Sequence, residues 1–278
     1  MRNMTALLFP PLDADTIDAL RRPDAASVAV RVVAETGSTN ADLLAATGRM
    51  NAPTLLAAEM QTAGRGRAGR TWHSAPGTAL TFSLAWKLRM PLQSMVGLPL
   101  AIGVVVADVL AQFGVEARLK WPNDILAEGR KLAGILIETA APANLARDEV
   151  WAVIGIGLNM AVSEQLRAQV GKHVAAMPMP GLNRNILLAR LLDALADALP
   201  QFEAQGLAAF VGRWNALDAY AGQQVRIIDG ERTLHEGRAA GVDRSGRLLL
   251  DTAGGRVAVM AGDVSLRTRE GKAYAAAD

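Results

Sequence analysis

Residues 61–72 read Gln-Thr-Ala-Gly-Arg-Gly-Arg-Ala-Gly-Arg-Thr-Trp, so three arginines alternate with three glycines. Each guanidinium carries a permanent charge and a planar set of donors that fits a phosphate or a carboxylate. Glycine allows backbone angles and close approaches that other residues do not. The stretch predicts a mobile cationic loop that closes on an anionic ligand, with a solvated basic loop as the plainer alternative.

The spacing of Gly64, Gly66 and Gly69 also satisfies the glycine pattern of dinucleotide-binding folds. That pattern has its meaning only between a strand and a helix. Here the loop is followed by residues 78–86, whose alternating apolar pattern is typical of a strand. We therefore reject a dinucleotide-binding fold, and the chain has no phosphate-binding loop of the Walker A spacing.

Outward from this loop, hydrophobic periodicity predicts an alternation of strands and helices. The predicted strands are residues 27–35, 54–60, 80–88, 118–121, 132–138 and 150–158, the fourth and fifth joined by a polar turn. The predicted helices are residues 13–22, one starting at 38, and residues 96–113, 185–199 and 207–217. From about residue 219, four short strands separated by glycine turns predict a small antiparallel barrel.

Composition narrows the classes of function. The chain has 278 residues, 51% of them apolar, which is enough for a large core and a small second domain. It has no cysteine, which excludes disulfides, cysteine nucleophiles and thiolate metal sites. The net charge is +2 without a long basic run, so we expect neither nucleic-acid nor membrane binding. The N-terminus lacks a signal-peptide pattern, and a cytoplasmic protein is expected.

Two further motifs place polar groups at strand ends. Residues 120–124 read Lys-Trp-Pro-Asn-Asp, and the proline stops the strand and turns Asn123 and Asp124 outward. An amide and a carboxylate there can bind a ligand or a hydrated Mg²⁺, although an ordinary turn explains them equally well. Lys131 opens the next strand, where its ammonium can stabilise developing negative charge or simply be solvated.

Two more segments suit a polar ligand. Gly155 and Gly157 lie in an apolar strand and let something approach its backbone, next to Asn159. A distorted sheet with a turn asparagine is the alternative. Residues 38–40, Ser-Thr-Asn, combine hydroxyl and amide groups at a helix start. They can cap the helix and also hydrogen-bond a neutral ligand.

Taken in this order, these motifs resemble those of bacterial biotin protein ligases, with Gly-Arg-Gly-Arg and Lys-Trp-Pro-Asn-Asp as the most specific. The resemblance covers residues 30–159, and the predicted barrel stands where that family has an SH3-like domain. It implies an α/β (α+β) fold with a mixed sheet covered by helices. The implied domains are an extension, residues 1–27, a catalytic domain, 28–218, the barrel, 219–270, and a disordered tail, 271–278.

The resemblance implies a two-step reaction. Biotin and ATP form biotinyl-5′-AMP and pyrophosphate with Mg²⁺, and biotin then passes to a lysine of a carrier protein, such as the biotin carboxyl carrier subunit of acetyl-CoA carboxylase. Arg65, Arg67 and Lys131 are the implied catalytic residues. The implied binding residues are Ser38, Thr39, Asn40, Gln61, Gly64, Arg65, Gly66, Arg67, Arg70, Trp72, Asn123, Asp124, Lys131, Gly134, Gly157 and Asn159.

The resemblance leaves other properties open. Mg²⁺ is expected to come with ATP, near Asp124, without a metal cluster of the protein's own. We expect a monomer or homodimer and, because only about thirty residues precede the first strand, no DNA-binding repressor domain. A lipoate ligase or octanoyl transferase of the same superfamily, and a biotin-binding regulator without turnover, are the alternatives.

Overall fold

The computed structural model describes residues 9–23, 27–73, 77–142, 145–146, 148–162, 174–179, 181–261 and 265–268. The tail that was expected to be disordered, residues 271–278, lies outside these ranges, as do residues 1–8 and 24–26 of the predicted extension. The domain boundaries inferred from the sequence stay predictions.

A mixed seven-stranded sheet forms the larger part of the protein, which confirms the expected fold class. Its strand order is β1-β2-β3-β7-β6-β5-β4, and only β1 and β2 pair in parallel. The strands are β1 (Ala29–Thr36), β2 (Thr54–Gln61), β3 (Ala79–Arg89), β4 (Ala117–Lys120), β5 (Asp124–Ala127), β6 (Arg130–Ala140) and β7 (Glu149–Asn159).

Helices cover both faces of this sheet. They are α1 (Ala14–Leu20), α2 (Thr39–Ala46), α3 (Leu98–Gln112), α4 (Arg184–Gln205) and α5 (Val211–Leu217). Helices α3 and α4 pack into the large core, whereas α2 lies on the other face with a smaller apolar cluster that includes Leu43 and Val153. Because side chains alternate along a strand, Gly155 and Gly157 face the α2 side and Ile156 faces the large core.

The segment Leu92–Gln112, which includes α3, is long and apolar enough to cross a membrane. It is mostly buried inside the protein. Burial on nearly all sides explains why its apolar residues do not keep to one stripe. We therefore interpret this segment as part of the protein core, although it is long enough to cross a membrane.

Three expectations about the elements were wrong. The polar turn between residues 121 and 132 contains a further strand, β5, which is too short for a periodic signal. Helix α4 does not stop at Leu199 but continues through Pro200 to Gln205, since Phe202 is buried and packs near Phe210. The C-terminal sheet has a fifth strand, Ser265–Thr268, beyond the four expected.

That C-terminal sheet is antiparallel, with strand order β11-β10-β9-β8-β12. Its strands are β8 (Gln224–Asp229), β9 (Arg232–Val242), β10 (Leu248–Thr252), β11 (Gly255–Val259) and β12 (Ser265–Thr268). It is joined to the larger sheet by backbone and side-chain hydrogen bonds. Ala219 N donates to Leu119 O at 2.8 Å, and the buried Trp121 Nε1 donates to Gly246 O at 3.1 Å. These bonds hold the C-terminal sheet beside the end of β4.

Candidate active site

The arginine loop, residues 64–72, is a narrow hairpin between β2 and β3. Trp72 N donates to Gly64 O at 2.9 Å, and Gly66 N donates to Arg70 O at 2.7 Å. A Cβ at Gly64 would overlap the carbonyl oxygen of Trp72, so this close approach requires glycine. The loop runs from strand to strand, which agrees with the rejection of a dinucleotide-binding fold.

Two arginines of this loop contact side chains at separate places on the larger sheet. Arg65 Nη2 donates to Glu138 Oε1 at 2.7 Å, and Arg67 Nη1 lies 3.4 Å from Asn123 Oδ1. Asn123 is itself held at the edge of β6, because its Nδ2 donates to the carbonyl oxygen of residue 135 at 2.8 Å. The loop is thus attached to the sheet by two guanidinium contacts.

Polar side chains at the start of α2 and on the neighbouring strands β2 and β3 form what we call the neutral network: Ser38, Thr39, Asn40, Gln61 and Ser83. Gln61 Oε1 accepts from Thr39 N at 2.8 Å and from Thr39 Oγ1 at 3.1 Å. Thr39 Oγ1 and Ser83 Oγ are 2.7 Å apart, and Ser83 Oγ donates to Asn40 Oδ1 at 2.5 Å. Ser38 caps α2 by accepting from the backbone at residue 41. The network therefore holds uncharged donors and acceptors in fixed positions.

Glu138 connects this network to the arginine loop. Its Oε2 accepts from Asn40 Nδ2 at 3.0 Å, while its Oε1 accepts from Arg65. One carboxylate on β6 therefore bridges the start of α2 and the loop. Glu138 thus links the position of Arg65 to that of Asn40 through its side chain.

The glycines of β6 and β7 create room above the sheet. A Cβ at Gly155 would overlap Asn40 Oδ1, and a Cβ at Gly157 would overlap the ring of Trp72. Gly134, the cross-strand partner of Gly157, lies under the same ring and beside the Lys131 stem. In this structure the groups that approach the glycine backbone are thus the protein's own Asn40 and Trp72. The Trp72 Nε1 atom is buried and has no hydrogen-bond partner in the described part of the chain.

Opposite the neutral network is the charged cluster, which we define as Arg70, Lys120, Asp124, Lys131 and Arg267. Lys131 Nζ lies 2.6 Å from Asp124 Oδ1, and Lys120 Nζ lies 3.9 Å from Asp124 Oδ2. Burial works to raise the pKa of Asp124, but the two ammonium groups outweigh it and hold that pKa below its ordinary value. Burial lowers the pKa of Lys120 to about 8, against the attraction of Asp124.

The C-terminal sheet contributes to this cluster. Burial lowers the pKa of Arg267, on β12, and the charge of Arg70 lowers it further, whereas Asp124 acts in the opposite direction. Arg267 Nη1 is buried and has no hydrogen-bond partner among the described residues. Tyr220, in the connection before β8, has its pKa raised by burial and then by Asp124. A buried guanidinium donor without a partner, next to other cations, fits an anionic ligand.

Asn159 contacts the backbone of Lys131, which belongs to the charged cluster. It is buried, and its Nδ2 is 3.3 Å from the carbonyl oxygen of Lys131. The backbone carbonyl oxygen of Asn159 accepts a hydrogen bond from Met177 N at 2.9 Å. Here Asn159 positions the start of β6 and the segment of residues 174–177, which is a structural contact beside any contact it makes with a ligand.

Mg²⁺ does not fit a protein-held site here. The carboxylate of Asp124 is engaged by two ammonium groups, and the residues that the structure describes contain no group of three His, Cys, Asp or Glu side chains that could hold a metal ion. We therefore derive no step through a metal bound by the protein.

The sequence motifs pointed to most of these residues, but four were not assigned. Ser83 could have been noticed as a hydroxyl inside a fully buried stretch of β3. Lys120 belongs to a quoted motif and Glu138 ends a predicted strand, but only the fold shows that each is next to an oppositely charged side chain. Arg267 gives no signal in the sequence, because its proximity to Asp124 depends on how the second sheet docks.

Known proteins resemble this chain over most of its length. Residues 32–159 match the model of the biotin/lipoate A/B protein ligase family, and residues 220–267 match the biotin protein ligase C terminal domain. A biotin–[acetyl-CoA-carboxylase] ligase of Mycobacterium tuberculosis is 36% identical over 266 residues, which are 92% of this chain and 96% of that protein.

The chain belongs to the biotin protein ligase family. The bifunctional ligase/repressor BirA of Escherichia coli is 39% identical over 89% of this chain and 76% of its own length. Among solved structures, the biotin protein ligase from Aquifex aeolicus in complex with biotin and ATP has a TM-score of 0.69 at 27% identity, covering 86% of this chain and 99% of that one. The resemblance read from the motifs is thereby confirmed, and the match to the biotin protein ligase C terminal domain favours this family over lipoate ligases.

Proposed function

We propose that this biotin protein ligase joins biotin to ATP, forming biotinyl-5′-AMP and pyrophosphate, and then transfers biotin to a lysine of a carrier protein. One observation carries the proposal: a neutral hydrogen-bonding network and a cluster with excess positive charge lie at two ends of one glycine-lined face. Biotinyl-5′-AMP contains both a neutral polar ring and a charged acyl phosphate, and its binding requires such a pair of environments. The relative from Aquifex aeolicus that binds biotin and ATP supports it.

The neutral network is the binding site for the ureido ring of biotin in this proposal. That ring is uncharged and carries both donors and acceptors, so it is best held by hydroxyl and amide groups. Thr39, Asn40 and Gln61 supply these groups, and Ser83 keeps two of them in register through its hydroxyl. Ser38 fixes the start of α2 from which they project.

In the first step, an oxygen of the biotin carboxylate attacks the α-phosphorus of ATP. The new P–O bond forms as the bond to pyrophosphate breaks, and pyrophosphate leaves with the electron pair. The attacking carboxylate and the phosphate repel each other, so cations must neutralise both. Lys131, Arg67 and Arg65 are the proposed catalytic cations, and Arg70 and Arg267 add positive charge on the nucleotide side.

Exclusion of water matters between the two steps, because a mixed anhydride hydrolyses. The arginine loop lies over the glycine-lined face, and Trp72 packs on Gly157. We propose that this loop rearranges over the bound ligand, with Trp72 shielding the adenylate and Gly64 and Gly66 permitting the change. Asn123, Asp124 and Asn159 then lie on the nucleotide side.

In the second step, the neutral amine of a carrier lysine attacks the acyl carbon of biotinyl-5′-AMP. An amide bond forms, the C–O bond to the phosphate breaks, AMP leaves with the electron pair, and the proton that the amine loses passes to solvent. The nucleophile comes from the carrier, and we propose the biotin carboxyl carrier subunit of acetyl-CoA carboxylase, since the name of the relative from Mycobacterium tuberculosis includes acetyl-CoA carboxylase. We propose that the reaction takes place in the cytoplasm, with Mg²⁺ supplied together with ATP.

The edge of β6 offers a surface for self-association. Strand β5 pairs with β6 only as far as Gly134, and Asn123 covers the edge at residue 135. Residues 136–140 have no neighbouring strand on that side within the described sheet. We propose a monomer that can form a homodimer along this edge.

The first experiment combines the purified protein with ATP, Mg²⁺ and either biotin, lipoate or octanoate. Pyrophosphate release and the mass of the acyl-AMP are measured. Biotin-dependent biotinyl-5′-AMP is the expected result. Adenylate formed from lipoate alone would indicate a lipoate ligase. If no adenylate formed with any of the three acids, the result would favour a regulator that binds biotin without turnover.

A further inference from the structure

Two lysines share the carboxylate of Asp124. Lys131 Nζ is 2.6 Å from one oxygen and Lys120 Nζ is 3.9 Å from the other. The side chain of Lys120 is only 8% exposed, compared with 24% for Lys131. Lys120 and Asp124 are cross-strand partners of β4 and β5, so their backbones are fixed relative to each other. One of the two lysines is therefore held in place, while the other has room to move.

During the proposed reaction, Asp124 and the acyl phosphate compete for the ammonium group of Lys131. In this structure its ammonium is on Asp124 and 5.7 Å from the centre of the Trp72 ring. To neutralise the acyl phosphate, Lys131 must turn away from Asp124 at least in part. Asp124 is 15% exposed, and a carboxylate that is mostly buried is costly to leave without a counter-ion. The movement of Lys131 would be opposed unless another cation replaced it.

We propose that Lys120 is a positioning residue that becomes the counter-ion of Asp124 when Lys131 turns to the substrate. The inference rests on the proposed function of the site. Lys120 is already next to the second carboxylate oxygen and needs only a small movement to pair with it. It acts through Asp124 and Lys131, and it does not need to touch biotin or ATP.

The other charges around Lys120 favour this exchange. Lys131, Arg267 and Arg70 all act to repel its ammonium, and Asp124 is the anion that attracts it. When the phosphates of the nucleotide draw Lys131 and the two arginines toward themselves, Asp124 is left with Lys120 as its nearest cation. The exchange keeps the carboxylate neutralised at every stage, which lowers the barrier to moving Lys131.

The test is a double-mutant cycle between Lys120→Met and Asp124→Asn, with pyrophosphate release as the rate. Methionine keeps the length of the side chain without the charge. In the native background, Lys120→Met should lower kcat for biotinyl-5′-AMP formation on the order of 10- to 100-fold, because Lys131 stays on Asp124. The KM for biotin should be nearly unchanged, since the neutral network is untouched. With Asp124→Asn already present, the same substitution should lower kcat less than about 3-fold, whatever the rate of that background.

Controls separate this inference from simpler explanations. Lys87→Met removes an exposed lysine of β3 that pairs with Glu149, and it should leave the rate unchanged. Thermal unfolding and circular dichroism check each variant, and Lys120→Gln replaces Lys120→Met if the latter does not fold. An equal loss in both backgrounds would mean that Lys120 acts on the substrate directly and would overturn the inference, as would a Lys120→Met protein with the native rate. A native protein that forms no biotinyl-5′-AMP would overturn the proposed function first, and the inference with it.

Discussion

The two ends of the site differ in how complete they are before a ligand arrives. In the neutral network, Thr39, Asn40, Gln61 and Ser83 satisfy one another by hydrogen bonds. In the charged cluster, a single carboxylate faces four cationic side chains, and one buried nitrogen of Arg267 has no hydrogen-bond partner within the described residues. Under the proposed function, this difference means that recognition of the neutral ring is preset, whereas the positive charge is left to be balanced by the nucleotide.

The largest expected effect is at the charged cluster. Lys131→Ala should lower the rate of biotinyl-5′-AMP formation about 10²- to 10³-fold, because a cation aimed at the developing charge is lost. Folding should be retained, since Lys131 is partly exposed and Asp124 still has Lys120. Pyrophosphate release and thermal unfolding measure the two effects. Lys87→Ala is the control, and an unfolded or fully active Lys131→Ala protein would contradict the role given to Lys131.

A smaller effect is expected at the neutral network. Asn40→Ala leaves Ser83 and Glu138 without their shared partner and should weaken biotin binding by about 1–3 kcal/mol. Calorimetric titration with biotin alone, in the absence of ATP, isolates this end of the site. Asn51→Ala, at an exposed position, is the matched control. Equal affinity in the two variants would show that the network is only structural.

A third effect concerns stability and pH. The pKa of Lys120 is lowered from 10.5 to about 8, so between these values the folded protein binds fewer protons than the unfolded chain. Its stability relative to a Lys120→Met variant should therefore rise from pH 8 to pH 10.5. At pH 7 the variant should be more stable by about 1–3 kcal/mol, because a buried charge has been removed and Asp124 keeps Lys131.

Urea unfolding of both proteins at several pH values measures this difference. The advantage of Lys120→Met should shrink as the pH rises through 8 and should be small by pH 10.5. A difference that does not depend on pH would show that the ammonium of Lys120 is not desolvated in the folded protein. A destabilised variant would show that Lys131 alone does not neutralise Asp124.

The smallest effect is expected where the two ends are connected. Glu138→Gln removes the charge that attracts Arg65, and this ion pair is half exposed on the arginine side. The free energy of unfolding should change by less than about 1 kcal/mol. Arg65→Gln provides the matched partner for a double-mutant cycle by thermal unfolding. A coupling energy well above that value would mean that the connection, rather than the two ends, fixes the shape of the site.

The sequence predicted the elements that have a long periodic pattern and missed those that do not. Strands β3 and β7 and helix α3 carry enough apolar residues for their period to be read. Strand β5 has four residues and was predicted to be a turn, since an alternation of apolar and polar residues cannot be established over so short a run. The helix predicted to end at Leu199 continues through Pro200, because burial of the following turn outweighs the lost hydrogen bond.

The motifs by themselves determined the family and the kinds of group in the site. Arginines among glycines, a Ser-Thr-Asn helix start and a lysine at a strand start predict, without coordinates, an anionic ligand, a neutral ligand and a catalytic cation. The tertiary structure alone decided which groups meet. It placed Ser83 between Thr39 and Asn40, Lys120 beside Asp124, and Arg267 from the second sheet near the same carboxylate. Contacts between residues distant along the chain depend on sheet register and docking, which local sequence patterns do not encode.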